Sequence, residues 1–300
     1  MQNQYDVIIV GGSYAGLSAA MSLGRSLRKV LVIDSGLPCN RQTPHSHNFI
    51  TQDGETPAAI SAKAKAQVLQ YPTVQIINDT ATSAVKKETS FEVATQNGTT
   101  FTAKKILFAT GVKDILPDID GIAECWGISV VHCPYCHGYE YRDKATGILA
   151  NGDAAYHYAM LVSNLTNDLA IYTNGKKEFT ESQLEKLAAN NIPVYEDLVK
   201  SINHSNGNIN TIALQDGNKY NLSALYTRPG NSQHCSLPQE LGCTVNEQGY
   251  IVTDVMQKTI IPGIYAGGDC CSPMRSVSNS VAQGAMAGAA INAELCSEAF

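Results

Sequence analysis

Long hydrophobic runs are missing from this chain. Its apolar stretches are strand-length, and none approaches the ~18–20 residues of a membrane-spanning helix, so no membrane association is expected. No leader is expected either. "MQNQYDVIIVGG" passes directly into a strand-like run and a glycine turn, with no basic segment or cleavage site, and a cytoplasmic location follows as the expectation. Excess positive charge is also absent. Lys and Arg number 21 against 27 Asp and Glu, a formal net charge of −6, which argues against nucleic acid as a partner. The one dense basic stretch, "GRSLRK", closes a helical pattern, where cations complement the negative end of the helix dipole. Low-complexity tracts and short-period repeats do not occur.

Nine cysteines are spread over 300 residues. They are too sparse for the disulfide framework of a small secreted domain, so most are expected to be reduced and buried. Cys39, Cys125, Cys235, Cys243 and Cys296 have no paired spacing and read as structural thiols. Cys270 and Cys271 are adjacent and make a poor chelating pair. The apolar fraction of 44% is ordinary and predicts a normal core in one large or two medium domains.

"HCPYCHGYE", His132 to Glu140, is the densest chemistry in the chain. Cys133-x-x-Cys136-His137 matches a c-type haem attachment signature, a glutaredoxin-like redox motif and half of a zinc site. Haem attachment goes with export, for which no signal is seen. A structural zinc needs four ligands, and no second Cys-x-x-Cys or His-x-x-x-His follows. The redox reading is favoured, with the others open at this point.

The surrounding pattern is α/β. "YDVIIV" reads as a buried strand, "GGSYAG" as a tight turn, "AGLSAAMSLGRSL" as a helix with small residues at its start, and "KVLVID" as a second strand. This is the first βαβ unit of a dinucleotide-binding fold. Gly11 and Gly16 stand at the outer fingerprint positions, with Gly12 and Ala15 between. Ser13 replaces the middle glycine and is small enough to let the backbone approach a pyrophosphate. The helix start beyond it offers free N–H groups to phosphate, and Asp34 closes the second strand where a ribose-binding acid is expected. A hairpin around Asn97-Gly98 leads into a strand capped by Ala109-Thr110-Gly111. A second βαβ unit, "ATGILANGDAAYHYAMLVSNL" and "DLAIYTNG", follows the Cys-x-x-Cys segment. Then come a small antiparallel meander, the strand "GIYAGGD" with Gly268 and Asp269, and a small-residue helix.

Taken in order, "VIIVGGSYAGLSAA", "ILFATG", "CPYCHGYEYRDK" and "PGIYAGGD" resemble the FAD-dependent pyridine nucleotide–disulfide oxidoreductases. Within these they look like the low-molecular-weight thioredoxin reductases, over nearly the whole chain. The resemblance implies two Rossmann-like dinucleotide-binding domains in an α/β fold, the second inserted into the first. Residues 1–114 and 248–300 would form a split FAD-binding domain, and 115–247 an NAD(P)-binding-like domain carrying the redox pair. It implies FAD as cofactor and a homodimer. Cys136 would face the flavin, and Cys133 would exchange disulfides with a thioredoxin-like protein or a small dithiol or disulfide substrate. The family usually has an Asp after the second cysteine. His137 stands there, a group suited to shuttling the thiol proton near neutrality. Arg275, Ser276 and Val277 align with positions at the flavin ring edge. "PHSHNF" puts His45 and His47 in a loop that in the family runs near the adenosine or flavin.

The second nucleotide motif departs from the family. Its first glycine is Ala150 in "ANGDAA". The arginine pair that grips the 2′-phosphate of NADPH is replaced by Tyr172-Thr173-Asn174-Gly175, followed by Lys176 and Lys177. Weak use of NADPH or NADH is therefore expected. This departure, and the His after Cys-x-x-Cys, resembles thioredoxin-reductase-like dithiol oxidases that pass electrons to oxygen. A flavin-binding redox sensor without turnover is a third reading, disfavoured by the intact Cys-x-x-Cys.

Overall fold

The computed structural model describes residues 3–300. From the N-terminus run β1 (Gln4–Val10), α1 (Tyr14–Arg25), β2 (Val30–Asp34), α2 (Pro57–Val68), β3 (Val74–Asn78), β4 (Ala81–Lys86), β5 (Phe91–Thr95) and β6 (Thr100–Phe108). The chain crosses through β7 (Val112–Ile115) to α3 (Ile122–Cys125), β8 (Val130–Val131), α4 (Pro134–His137) and a single 3₁₀ turn at Tyr139–Tyr141. β9 (Thr146–Leu149), α5 (Gly152–Val162), β10 (Leu169–Tyr172), α6 (Glu181–Ala189) and β11 (Val194–Tyr195) follow. Then come the meander β12 (Val199–Ser205), β13 (Asn208–Leu214) and β14 (Lys219–Asn221), and the strand β15 (Ala224–Thr227). The chain returns through β16 (Gly230–Gln233) to α7 (Leu237–Glu240), β17 (Ile264–Ala266) and α8 (Val277–Ala299).

Two compact units result. One comprises the chain up to Arg41, Thr56–Lys113 and Asn231–Phe300; the other comprises Gln42–Glu55 and Asp114–Gly230. These limits differ from the sequence expectation in two places. Residues 231–247 go with the first unit because Leu237 and Cys243 bury in the same cluster as Phe91 and Val93. Residues 42–55 go with the second, where the Gln42 side chain lies against Gly127.

The first unit is built on a sheet ordered β3-β2-β1-β6-β5-β4, with β17 also on β6. β1, β2, β3, β6 and β17 are parallel. Residues 7–10, 30–33, 106–108 and 264–266 are apolar and buried on both faces, as a sheet covered on both sides requires. β6 is long enough to carry β5 at Thr100–Ala103 and β17 at Ile106–Phe108 along one edge. The expected hairpin forms there, with Gly98 at φ 81°. α1 and α8 lie in close contact because glycines face the partner backbone. A Cβ on Gly284 would stand 2.1 Å from the Ala15 carbonyl oxygen, and one on Gly288 2.8 Å from Ser22 Cβ.

The second unit carries a parallel sheet ordered β11-β10-β9-β15-β8 and the antiparallel meander β12-β13-β14. The meander turns at Asn206-Gly207, both at positive φ, as a type I′ hairpin demands. Two apolar clusters form this unit's core. One is centred on Ile122, Trp126, Tyr172 and Ile212, the other on Ile148, Tyr158, Ile171 and Tyr226. Among the described residues no helix is long and apolar enough to cross a membrane.

Candidate active site

The dinucleotide cradle lies at the C-terminal end of β1. Gly11 is at φ 106°, and a Cβ there would stand 2.3 Å from the Ala109 carbonyl oxygen. The first fingerprint glycine and the Ala109-Thr110-Gly111 segment are thus packed together. A Cβ on Gly16 would stand 1.9 Å from the Gly11 carbonyl oxygen, so the turn closes only with glycine. The Gly12 N–H donates to Asp34 Oδ1 at 3.1 Å, and Lys65 Nζ lies 2.9 Å from Asp34 Oδ2. Ser13 is the N-cap of α1 but makes no side-chain cap, and the first turn holds no acid. The N–H groups at this helix start are therefore open to an anion, with no acid in the helix's own first turn. Gly268, at φ 87°, lies against Ala15, where a Cβ would come within 3.0 Å of the alanine methyl. These glycine contacts and the uncapped helix start fit a bound dinucleotide.

Asp269 lies three residues beyond β17, with its carboxylate largely enclosed. Ser280 Oγ donates to Oδ1 at 3.3 Å, Arg275 Nε lies 3.5 Å from Oδ2, and Cys39 Sγ is 4.0 Å from Oδ2. Arg275, at 12% side-chain exposure, neutralises the acid inside the fold. Ser276 is the N-cap of α8, its hydroxyl accepting from the Asn279 N–H at 3.1 Å, and Val277 opens the helix. Cys39 and Cys296 are exposed, against the expectation of burial. Cys296 lies in the last turns of α8 beside Arg28 Nη2 at 2.9 Å, and Cys39 occupies the loop after β2.

The sequence pair Cys133 and Cys136 forms a disulfide in the second unit, with the Cα atoms 5.3 Å apart. The local cause is α4. Cys133 is its N-cap in an extended conformation, Pro134 occupies N1, and the N–H groups of Cys136 and His137 both donate to the Cys133 carbonyl at 3.2 Å. One turn of helix thus folds the second cysteine back over the first. Gly138 continues the turn tightly, since a Cβ there would meet the Pro134 carbonyl oxygen at 2.3 Å. Burial pushes the His137 imidazole below its ordinary value; Glu140 opposes this and His47 adds to it. His137 is therefore neutral at pH 7 and able to accept a proton. His132 contributes its carbonyl, which accepts from Tyr158 Oη at 2.8 Å, and its ring lies 5.8 Å from Trp126.

Two residues of this neighbourhood were not assigned to the dithiol from the sequence. His47 Nε2 lies 3.5 Å from Glu140 Oε1, and its Nδ1 lies 3.7 Å from Asp53 Oδ1. His45 Nδ1 is 2.9 Å from the Gly54 carbonyl oxygen and holds the loop. The alternating "HSHNF" was the available signal, but it did not say which unit the loop belongs to.

At the second nucleotide motif the protein makes contacts of its own. Asn151 is the N-cap of α5. Its Oδ1 accepts from the N–H groups of Gly152 and Glu178 at 2.9 and 3.0 Å, and its Nδ2 donates to the Lys176 carbonyl at 2.8 Å. Asp153 adds a carboxylate to the first turn. Lys177 Nζ is 2.8 Å from Glu196 Oε1. The first N–H of α5 and one of the two replacement cations thus have internal partners. Among the described residues no group of three or more His, Cys, Asp or Glu could hold a metal ion.

The family model for pyridine nucleotide-disulphide oxidoreductases matches residues 5–284. Thioredoxin reductase tcpT of Claviceps purpurea is 30% identical, over 99% of this chain and 96% of that one. Thioredoxin reductase sirT of Leptosphaeria maculans is 29% identical, over 96% and 93%. The crystal structure of an oxidoreductase from Agrobacterium tumefaciens superposes with a TM-score of 0.92 at 38% identity, covering 99% of each chain.

Proposed function

The chain belongs to the pyridine nucleotide–disulphide oxidoreductases, as a thioredoxin reductase-like flavoenzyme with FAD as its cofactor, and from that premise we propose that Cys133 and Cys136 are its redox pair. Electrons pass between the cofactor and this pair, and between the pair and a disulfide or dithiol substrate. The substrate is a thioredoxin-like protein or a small molecule, the enzyme a cytoplasmic homodimer. The observation that carries the reading is the disulfide closed across one turn of helix with a neutral imidazole as the next residue. When bound, FAD supplies the two-electron acceptor or donor. Cys133 meets the substrate sulfur and Cys136 turns toward the cofactor. In the oxidative direction a substrate thiolate attacks Cys133, the Cys133–Cys136 bond breaks and Cys136 leaves as thiolate. The second substrate thiol then closes the substrate disulfide and releases Cys133. His137 accepts and returns the thiol proton.

A second reading concerns the terminal electron partner and is carried by Asn151. With Asn151 accepting from the first N–H of α5, where a pyrophosphate would sit, and Lys177 paired to Glu196, few groups remain for the phosphates of NADPH. This favours a dithiol oxidase that hands its electrons to oxygen. A lost charge-assisted phosphate contact costs about 1.5–3 kcal/mol, so the preference for NADPH over NADH is expected to be less than about tenfold. Anaerobic titration of the flavin with NADPH, NADH and dithiothreitol tests both readings. Bleaching by the dithiol alone supports the oxidase. Rapid bleaching by NADPH, with NADH a thousandfold slower, restores a conventional reductase. Failure of the dithiol to bleach the flavin removes the proposed redox pair.

A further inference from the structure

We propose that His47 and Glu140 form with His137 a proton relay that connects the dithiol to solvent, and that His47 is a positioning residue of the thiol chemistry. The inference rests on the Cys133–Cys136 pair being the redox centre.

His47 comes from a segment far upstream of the motif, yet it is held in the same unit by a closed loop. The Ser46 N–H donates to the Glu55 carbonyl at 2.8 Å and the Gly54 N–H returns to the Ser46 carbonyl at 2.9 Å. Such a pinched loop with its ends together is an Ω-type element. Inside it the Asn48 N–H donates across the loop to Asp53 Oδ1 at 2.7 Å and fixes the acid. The His47 ring therefore lies between two carboxylates, Asp53 on one nitrogen and Glu140 on the other. Glu140 stands three residues after His137, on the 3₁₀ turn that follows α4. Glu140 and His47 both act electrostatically on the His137 ring, the acid favouring its cation and the imidazole disfavouring it. Behind His47 stand Asp53 and, with ring centroids 6.4 Å apart, His45.

The Asp53 side chain is 67% exposed and Glu140 37%, so both carboxylates that flank His47, itself 21% exposed, reach water. The contacts of 3.5 and 3.7 Å are ion-pair distances, slightly beyond a hydrogen bond, and a small rotamer adjustment closes them. The step is a proton transfer alone. Cys136–SH gives its proton to neutral His137, leaving Cys136 thiolate and an imidazolium opposite Glu140. The proton passes by way of the Glu140 carboxylate to neutral His47, restoring neutral His137. The His47 imidazolium, between Glu140 and Asp53, then releases it to water. The reverse order supplies protons when the pair is reduced.

The two members act on His137 in opposite senses, which gives the test its signature. The Glu140 carboxylate favours the His137 cation and protonated His47 disfavours it. In the FAD-loaded enzyme, exchange between Cys133–Cys136 and dithiothreitol is followed by stopped flow from pH 5 to 9. Glu140→Gln is expected to move the acidic limb to lower pH and His47→Gln to higher pH, each by roughly one unit. Each is expected to slow exchange at pH 7 about tenfold, with the double variant no slower than the worse single one. Added imidazole is expected to restore the His47→Gln rate. Unshifted pH profiles in both single variants, or shifts in the same direction, overturn the relay. Cys133→Ser and Cys136→Ser separate the two levels of argument. If both keep full turnover, the redox-pair reading fails. If both lose it while His47→Gln and Glu140→Gln keep wild-type profiles, the relay alone fails.

Discussion

Cys133 and Cys136 are identical thiols until the fold distinguishes them. Cys133 precedes the short helix and Cys136 lies within it. If Cys136 is the cofactor-side thiol, Cys133→Ser leaves its thiolate beside oxidised FAD. Donation of charge to the isoalloxazine is then expected as a long-wavelength absorbance band, and Cys136→Ser is expected to lack it. Cys136→Ser should still trap substrate as a mixed disulfide, because attack needs only the accessible thiolate. A band in Cys136→Ser alone would reverse the two roles. His137→Ala is expected to slow turnover by about 10²–10⁴-fold with FAD retained, read by steady-state rates at fixed flavin content. The residue identities were legible because Cys-x-x-Cys-His is a local pattern. The partners of His137 were not, because His47 arrives from a loop whose place depends on tertiary packing rather than on spacing.

At the scale of elements, the strands, the hairpin and both βαβ units were readable from alternation, apolar runs and turn residues. The alignment of α1 with α8 was readable only as a taste for small residues. The structure supplies the reason, since Gly284 meets the Ala15 backbone. Gly284→Ala is expected to force the helices apart and cost about 1–3 kcal/mol, seen as a lower urea midpoint with an unchanged m-value. The second crossing, expected at 247/248, lies at Gly230/Asn231 by compactness of the two units. The segment after it has no strong periodicity, and its allegiance is set by the burial of Leu237 and Cys243.

A second element-scale feature had no sequence signal. On β6, Lys105 is 6% exposed and reaches Glu298 and Glu294 on α8, with Glu294 also 2.8 Å from Lys258 and 2.6 Å from Tyr265 Oη. Burial raises the Glu294 pKa, but hydrogen bonds from Lys105, Lys258 and Tyr265 outweigh it and hold the carboxyl at about 2. The folded value lies below the unfolded one, so this contribution is complete above about pH 4.5 and is lost as pH falls toward 2. Lys105→Met is expected to cost about 2–3 kcal/mol, less than the ~3–5 of a wholly stranded charge because Glu294 keeps Lys258. The measurement is urea denaturation at pH 7 and pH 3, and the variant's deficit should shrink at the lower pH. An equal deficit at both would assign the cost to packing rather than charge.

At the scale of the molecule, each unit has its own sheet and its own apolar clusters. The glycine turn, Asp34 and Asp269 belong to the first unit; the disulfide, His137 and the Asn151-capped helix belong to the second. A ligand stabilises the state that binds it by RT ln(1 + [L]/Kd), about 2.7 kcal/mol at a hundredfold excess over Kd. For a unit of this size that corresponds to roughly 5–10 °C in Tm. Calorimetry is therefore expected to resolve two transitions, with added FAD raising one of them by that amount. NADPH at millimolar concentration should leave the other within about 1 °C, because Asn151 already accepts from the first N–H of α5 and Glu196 holds Lys177, leaving few contacts for a phosphate. Circular dichroism of the Gly11→Ala variant assigns the transitions. A Cβ there strikes the Ala109 carbonyl, so only the FAD-responsive transition should fall. If FAD raised both transitions equally, the units would melt as one body and the assignment of separate stabilities would be wrong. If NADPH raised the second by several degrees, the capped helix would be a working nucleotide site, and the electron partner would be a nicotinamide after all.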